Sequence, residues 1–149
     1  MLLAARHLCE RVEEVHARAI LAGIGKSFFA ARMAKLMLHA KGIEVPVMVE
    51  TGLYDLQCDE TADEFLLSHK NISLAGRLSH AEHILGTLTC GASNRCIGVV
   101  GCAQIDPNGN INSTRSSDGT LLVGSGGAND IASSADEVVV LTDSSRLVE

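Results

Sequence analysis

The chain has 149 residues, 46% hydrophobic and 20% charged, with a formal net charge of −6. That length suits one domain over 1–149 with a buried core, and the composition excludes a disordered chain. The acidic balance and scattered Lys and Arg argue against a phosphate-binding surface, so no nucleic-acid partner is expected.

The elements follow from periodicity. Residues 1–15 carry apolar side chains at 1, 4, 5, 8, 12 and 15 with charges between them, which predicts an amphipathic helix. Residues 18–23 form an apolar run ending in Gly23, a strand, and 26–40, rich in Ala, Leu and Met, form a second helix that Gly42 closes. Residues 45–49 form a strand with Pro46 at its start. The acidic stretch 53–64 predicts a surface loop, 71–75 a short strand, and 79–88 a helix capped by Ser79 with Glu82 three residues on. Residues 96–100 predict a buried strand, 106–118 turns throughout, 128–133 a short helix and 137–141 a last buried strand. Apolar strands alternating with amphipathic helices predict an α/β fold, with an open, mostly parallel sheet and helices on both faces.

The five cysteines, at 9, 58, 90, 96 and 102, are odd in number and lack a C-x-x-C pair. Reduced thiols in the cytoplasm are expected rather than a secreted disulfide framework. The apolar start runs straight into Arg6, His7, Glu10 and Arg11, unlike a signal peptide, and no apolar run is long enough for a bilayer. No membrane association is expected. His80, His83, Cys90, Cys96 and Cys102 match no zinc spacing, and Asp55, Asp59, Glu60, Asp63 and Glu64 lack a calcium-loop pattern, so no metal is assigned.

Three segments carry chemistry. Gly124-Ser125-Gly126-Gly127-Ala128-Asn129-Asp130 is a glycine run opening a helix, where backbone N–H groups can face an anion or oxyanion. Val49-Glu50-Thr51-Gly52 sets a carboxylate at a strand tip before a sharp turn, so Glu50 is held rather than floppy. A positioned carboxylate with backbone donors is the minimum kit for covalent acyl chemistry. The amides of Gln104 and Asn112 lie around the turn Pro107-Asn108-Gly109, where such groups satisfy loop backbone or contact substrate. Gly23-Ile24-Gly25-Lys26-Ser27 is too short for a nucleotide-binding P-loop and reads as a strand-to-helix turn; Gly25 and Lys26 stand as an anion-binding candidate.

Val49-Glu50-Thr51-Gly52-Leu53-Tyr54-Asp55, the run from Gly101 to Thr114 and the glycine run from Gly124 to Asp130 together resemble the beta subunit of family I coenzyme A transferases, in the glutaconate flavour. The three motifs occur in the family's order. The resemblance implies an open α/β fold and a glutamate, matching Glu50, that carries a glutamyl-CoA thioester during transfer of CoA between an acyl-CoA and a small carboxylic acid. It implies oxyanion or CoA contacts at Gly126, Gly127, Ala128, Gln104 and Asn112. Coenzyme A would be a substrate, with no permanently bound cofactor, and an alpha-type subunit would be the partner.

The chain departs from the family pattern in four ways. The basic stretch usual before the glycine run is replaced by Ser116-Ser117-Asp118-Gly119-Thr120-Leu121-Leu122, with only Arg115 upstream. The segment after the last strand reads Thr142-Asp143-Ser144-Ser145-Arg146-Leu147 in place of a basic-aromatic run. Lys26-Ser27 stands where Leu-Pro is usual, and the C-terminal portion of the family's beta subunits has no counterpart. A truncated reading frame and a natural terminus both remain open. Two alternatives fit the same scaffold: a CoA-thioester hydrolase, which the retained Glu50 disfavours, and a non-catalytic ligand-sensing or interaction module, which the lost basic segments favour.

Overall fold

The protein is described by a computed structural model over residues 1–59, 61–63, 65–91 and 94–143. Helix α1 (Leu2–Val15), strand β1 (Ala19–Ala22), helix α2 (Lys26–Ala40) and strand β2 (Val47–Val49) follow the expected order. α2 ends in a Schellman closure: Gly42, at φ 75°, donates to the His39 carbonyl, and Ile43 donates to that of Leu38. The chain continues through β3 (Leu53–Leu56), α3 (His69–Ile72), β4 (Ala75–Leu78), a π-helix (His83–Thr89), β5 (Cys96–Gly101), the short pair β6 (Gln104–Ile105) and β7 (Ile111–Asn112), α4 (Ala128–Ser134) and β8 (Glu137–Leu141).

Six strands form one sheet in the order β4-β3-β2-β1-β5-β8. The β2-β1, β1-β5 and β5-β8 pairs are parallel, and β3 and β4 extend one side antiparallel. Alternation along the central strands divides the core in two. Ile20, Ala22, Val47, Val49, Ile97 and Val99 pack with α1 and α2 on one face. Ala19, Leu21, Met48, Cys96 and Val100 pack with Ile84 of the π-helix and Ile131 of α4 on the other. Burial on both faces explains why these strands read as continuous apolar runs. The open, mostly parallel α/β sheet with helices on both faces is therefore observed.

Four local expectations are corrected. Part of the predicted 53–64 loop is β3. Leu53 and Leu56 are buried, and the Lys35 ammonium, itself nearly buried, donates to Asp55 Oδ1 at 2.6 Å and to the Leu56 carbonyl at 2.9 Å. That cation offsets the acidity that suggested a solvated loop; Glu60 and Glu64 lie outside the described residues. The predicted strand 71–75 is helix α3 followed by β4. Asn71 is fully buried, and its amide nitrogen donates to the carbonyls of Phe65 at 3.0 Å and Leu66 at 3.2 Å, while its oxygen accepts the Asp63 N–H at 3.0 Å.

The predicted helix over 79–88 begins later and is a π-helix, with Cys90 N–H donating to the Leu85 carbonyl at 3.2 Å and the Thr89 hydroxyl to that of Ile84 at 2.8 Å. Ser79 does not cap it; its N–H donates instead to the Gly52 carbonyl at 2.8 Å. The predicted turn 106–118 contains β7, which pairs with β6 around Pro107-Asn108-Gly109.

Replacing Asn71 with Ala strips this buried loop of its shared partner. Asn71→Ala is expected to cost about 1–3 kcal/mol in urea unfolding, through a lower midpoint at unchanged slope.

Candidate active site at the sheet's switch point

Chain direction in the sheet selects the site. β1 leads through α2 to β2 on one side, while its other neighbour β5 leads through α4 to β8. The crossovers depart oppositely from between β1 and β5, so a crevice opens beyond the carboxyl ends of those strands, where open α/β sheets bind ligands. Gly23 and Ile24 follow β1, and Gly101 ends β5. Those residues line a cavity of about 220 Å³ together with Glu50, Val100, Ser113, Val123, Ile131 and the glycine run.

Glu50 follows β2 directly. Val49 packs toward α1 and α2 and Met48 toward the opposite face, so continued alternation aims residue 50 toward α4. The next turn depends on Gly52, at φ 106°, whose N–H donates to the Val49 carbonyl at 3.0 Å. A Cβ there would overlap the Ser79 carbonyl oxygen. At the start of α4, the Gly127 N–H donates to Glu50 Oε2 at 3.1 Å. A side chain on Gly127 would overlap that same carboxylate oxygen, so only glycine lets the backbone come this close. Burial raises the Glu50 pKa above the ordinary glutamate value; the Gly127 N–H opposes this and the nearby Asp130 charge adds to it.

The other predicted site residues divide. Gly126, at φ 51°, and Ala128 line the cavity, but the Ala128 N–H is already donated to the Ser125 carbonyl at 3.0 Å. Gln104 and Asn112 face each other across β6 and β7: the Asn112 amide donates to Gln104 Oε1 at 2.7 Å and to the Arg115 carbonyl at 2.6 Å. Their polar atoms brace the hairpin, and neither lines the cavity. Gly25 caps α2 outside the lining, and the Lys26 ammonium pairs with Asp143 at 2.7 Å. Among the described residues no group of three or more His, Cys, Asp or Glu is placed to hold a metal ion, and no helix is long and apolar enough to cross a membrane. All five cysteines are free thiols, and burial pushes that of Cys96 up to about 12.

Sequence reasoning missed Gly98 and Ser113. A Cβ on Gly98 would lie 2.5 Å from Ile131 Cγ2 and 3.1 Å from the Ala135 Cβ, so the bare backbone of β5 is what lets α4 settle on the sheet. A lone Gly inside an apolar strand run was the available signal. Ser113 pairs with Val123, whose N–H donates to the Ser113 carbonyl at 3.1 Å, and the two form one wall of the cavity. Arg115 donates to the Gly119 carbonyl at 3.0 Å, and Asp118, held down to about 2 by the Ser116 hydroxyl and the Thr120 N–H, occupies the turn where the basic stretch was expected.

A doubly wound sheet with a strand-tip glutamate against a glycine-opened helix has the fold of the coenzyme A transferases. The chain is 43% identical over 58 residues, 36% of its length, to the beta-type subunit of glutaconate CoA-transferase from Acidaminococcus fermentans, and covers 22% of that protein. The crystal structure of that bacterium's glutaconate coenzyme A-transferase superposes with a TM-score of 0.72 at 25% identity, over 95% of this chain and 57% of that one. The resemblance to a glutaconate-type beta subunit thus holds in sequence and in fold. The decarboxylase AibA/AibB (TM-score 0.64, 16% identity, 92% of this chain and 57% of that one) shares the fold. So does the acyl-CoA transferase YdiF from Escherichia coli O157:H7 in a thioester complex with CoA (0.57, 15%, 92% and 25%). The chain spans just over half the length of the glutaconate CoA-transferase chain, and no protein-family model matches it.

Two expectations follow from the geometry. The native chain holds a proton on Glu50 more readily than the unfolded chain does, so Glu50 costs stability as pH rises from the ordinary carboxyl range through its raised value. Glu50→Gln keeps an acceptor for the Gly127 N–H and is expected to raise the melting temperature at neutral pH, a gap that closes below about pH 4. Gly98→Val should push α4 off the sheet, costing on the order of 1–3 kcal/mol in urea unfolding. It should also move the Gly127 amide proton upfield in NMR spectra as its carboxylate acceptor is lost.

Proposed function

We propose that this chain is one subunit of an acyl-CoA:carboxylate CoA-transferase in which Glu50 is the nucleophile. The observation that carries the reading is the Glu50 carboxylate held on the Gly127 N–H at the rim of the switch-point cavity. Burial makes that carboxylate more basic, and hence more nucleophilic, than an exposed one. Coenzyme A enters as part of a substrate and not as a resident cofactor.

The steps balance without a co-reactant. A Glu50 oxygen attacks the acyl carbonyl carbon, the C–S bond breaks, and CoA leaves as thiolate from an acyl-glutamyl anhydride. The thiolate attacks the Glu50 carbonyl carbon, the anhydride C–O bond breaks, and the first acid departs as carboxylate, leaving a glutamyl-CoA thioester. A second carboxylate runs the sequence in reverse. The Gly127 N–H, 3.1 Å from a glutamyl oxygen, is positioned for the oxyanion that develops when the thiolate attacks. Apolar walls at Ile24, Val100 and Ile131 help exclude water, which would otherwise hydrolyse the anhydride.

The partner is an alpha-type subunit. Beside the Glu50 turn, Phe65, Leu67, Ile72 and Leu78 are exposed, and Leu67, Ile72 and Leu78 line a surface depression with Thr51 and Gly52. Such a contiguous apolar surface suits a protein interface. A cytoplasmic location accompanies this reading. A second reading, a non-catalytic ligand-sensing module, is favoured by the turn at 115–120, where Arg115 is spent on a backbone carbonyl and Asp118 replaces a cation.

The test is peptide mass spectrometry of the chain co-expressed with an alpha-type subunit, treated with acyl-CoA and then hydroxylamine. A hydroxamate on the Glu50 peptide, absent in Glu50→Ala, is the expected result. A folded complex with no adduct from a broad acyl-CoA panel would sink the transferase reading in favour of the sensing one.

A further inference from the structure

We infer that the acid exchanged on Glu50 is a monocarboxylate with a short apolar tail, and that the cavity beside Glu50 rejects a second carboxylate. The inference rests on the transferase reading and names its substrate class. Besides Glu50, the cavity is walled by the side chains of Ile24, Val100, Val123 and Ile131, with Ser113 and Ser125 as its neutral polar residues. Glycines and Ala128 supply the remainder. None of these lining residues is Lys, Arg or His.

Lys26, the basic residue closest in sequence to this wall, directs its ammonium to Asp143 and stands outside the lining. Asp130 lies near enough to Glu50 to act on it electrostatically, so the local charge is negative twice over. A substrate carrying a second carboxylate would bury that charge beside Glu50 with no cation to pair it. An unpaired charge in a poorly hydrated apolar site is strongly disfavoured. An alkyl tail finds four aliphatic side chains there instead. The volume of about 220 Å³ falls below the roughly 300–1,000 Å³ of drug-sized ligand pockets, which suits a short chain.

The experiment compares butyryl-CoA with glutaryl-CoA, at equal concentration, on the complex with the alpha-type subunit. The readout is the rate at which the Glu50 hydroxamate forms in hydroxylamine. Butyryl-CoA is expected to label Glu50 faster by about tenfold or more, the modest end of what an unpaired buried charge costs. Equal or faster labelling by glutaryl-CoA overturns the inference while leaving Glu50 as nucleophile, whereas labelling by neither overturns both. Val123→Lys adds an ammonium to the wall at a residue 55% exposed, where the chain should still fold. It is expected to narrow the preference, and an unchanged ratio would rule the cavity out as the acyl site.

Discussion

The site depends on how closely α4 approaches the sheet. Two glycines set that distance: Gly98 gives Ile131 a flat strand to lie on, and Gly127 lets the backbone of the helix start reach the Glu50 carboxylate. Side chains at either position would hold the helix away. Without that approach the carboxylate would lose its one backbone donor and part of its burial together. The cavity would change as well, since Ile131 is at once the packing contact of α4 and part of the cavity wall. Packing and chemistry are therefore coupled through one helix.

The electrostatics separate Glu50 from the other carboxylates. Asp59, Asp63, Asp106 and Asp118 lie on the surface and accept hydrogen bonds from nearby residues, which lower their pKa values. They are turn-forming groups, stabilised in the charged form by local donors. Glu50 has one backbone donor against substantial desolvation, with Asp130 adding repulsion, and its shift runs the other way. A net charge of −6 spread over the surface says nothing about this contrast; the difference is one of burial. Exposed ion pairs such as Lys26–Asp143 contribute little to stability and serve here mainly to keep a cation off the cavity wall.

Much of the sheet is legible in the residues. The central strands alternate between two covered faces, so 19–22, 47–49, 96–101 and 137–141 carry apolar residues almost without interruption, and α1 and α2 show helical spacing. The errors cluster in 53–89, where local composition opposes tertiary context. Asp55 looks solvated until the Lys35 ammonium reaches it from another element, and Asn71 looks like a surface polar group until its amide is seen to hold three partners in a buried loop. The π-helix is stabilised by the Thr89 hydroxyl and by the Asn94 amide bonding to Thr87 and Leu88, contacts with no periodic signature.

By itself the sequence determined the doubly wound class, the position of Glu50 at a strand tip and the glycine run that opens α4. Each of these is a local pattern: strand alternation, a turn glycine, a helix start. Only the tertiary structure decided that Glu50 meets Gly127, since those residues stand 77 positions apart and are brought together by the order of strands and the side on which α4 packs. The fold likewise decided that Gln104 and Asn112 brace each other and that Lys26 turns to Asp143. A side chain's type states what it can bond. Its partner is chosen by which groups the packed core leaves within reach.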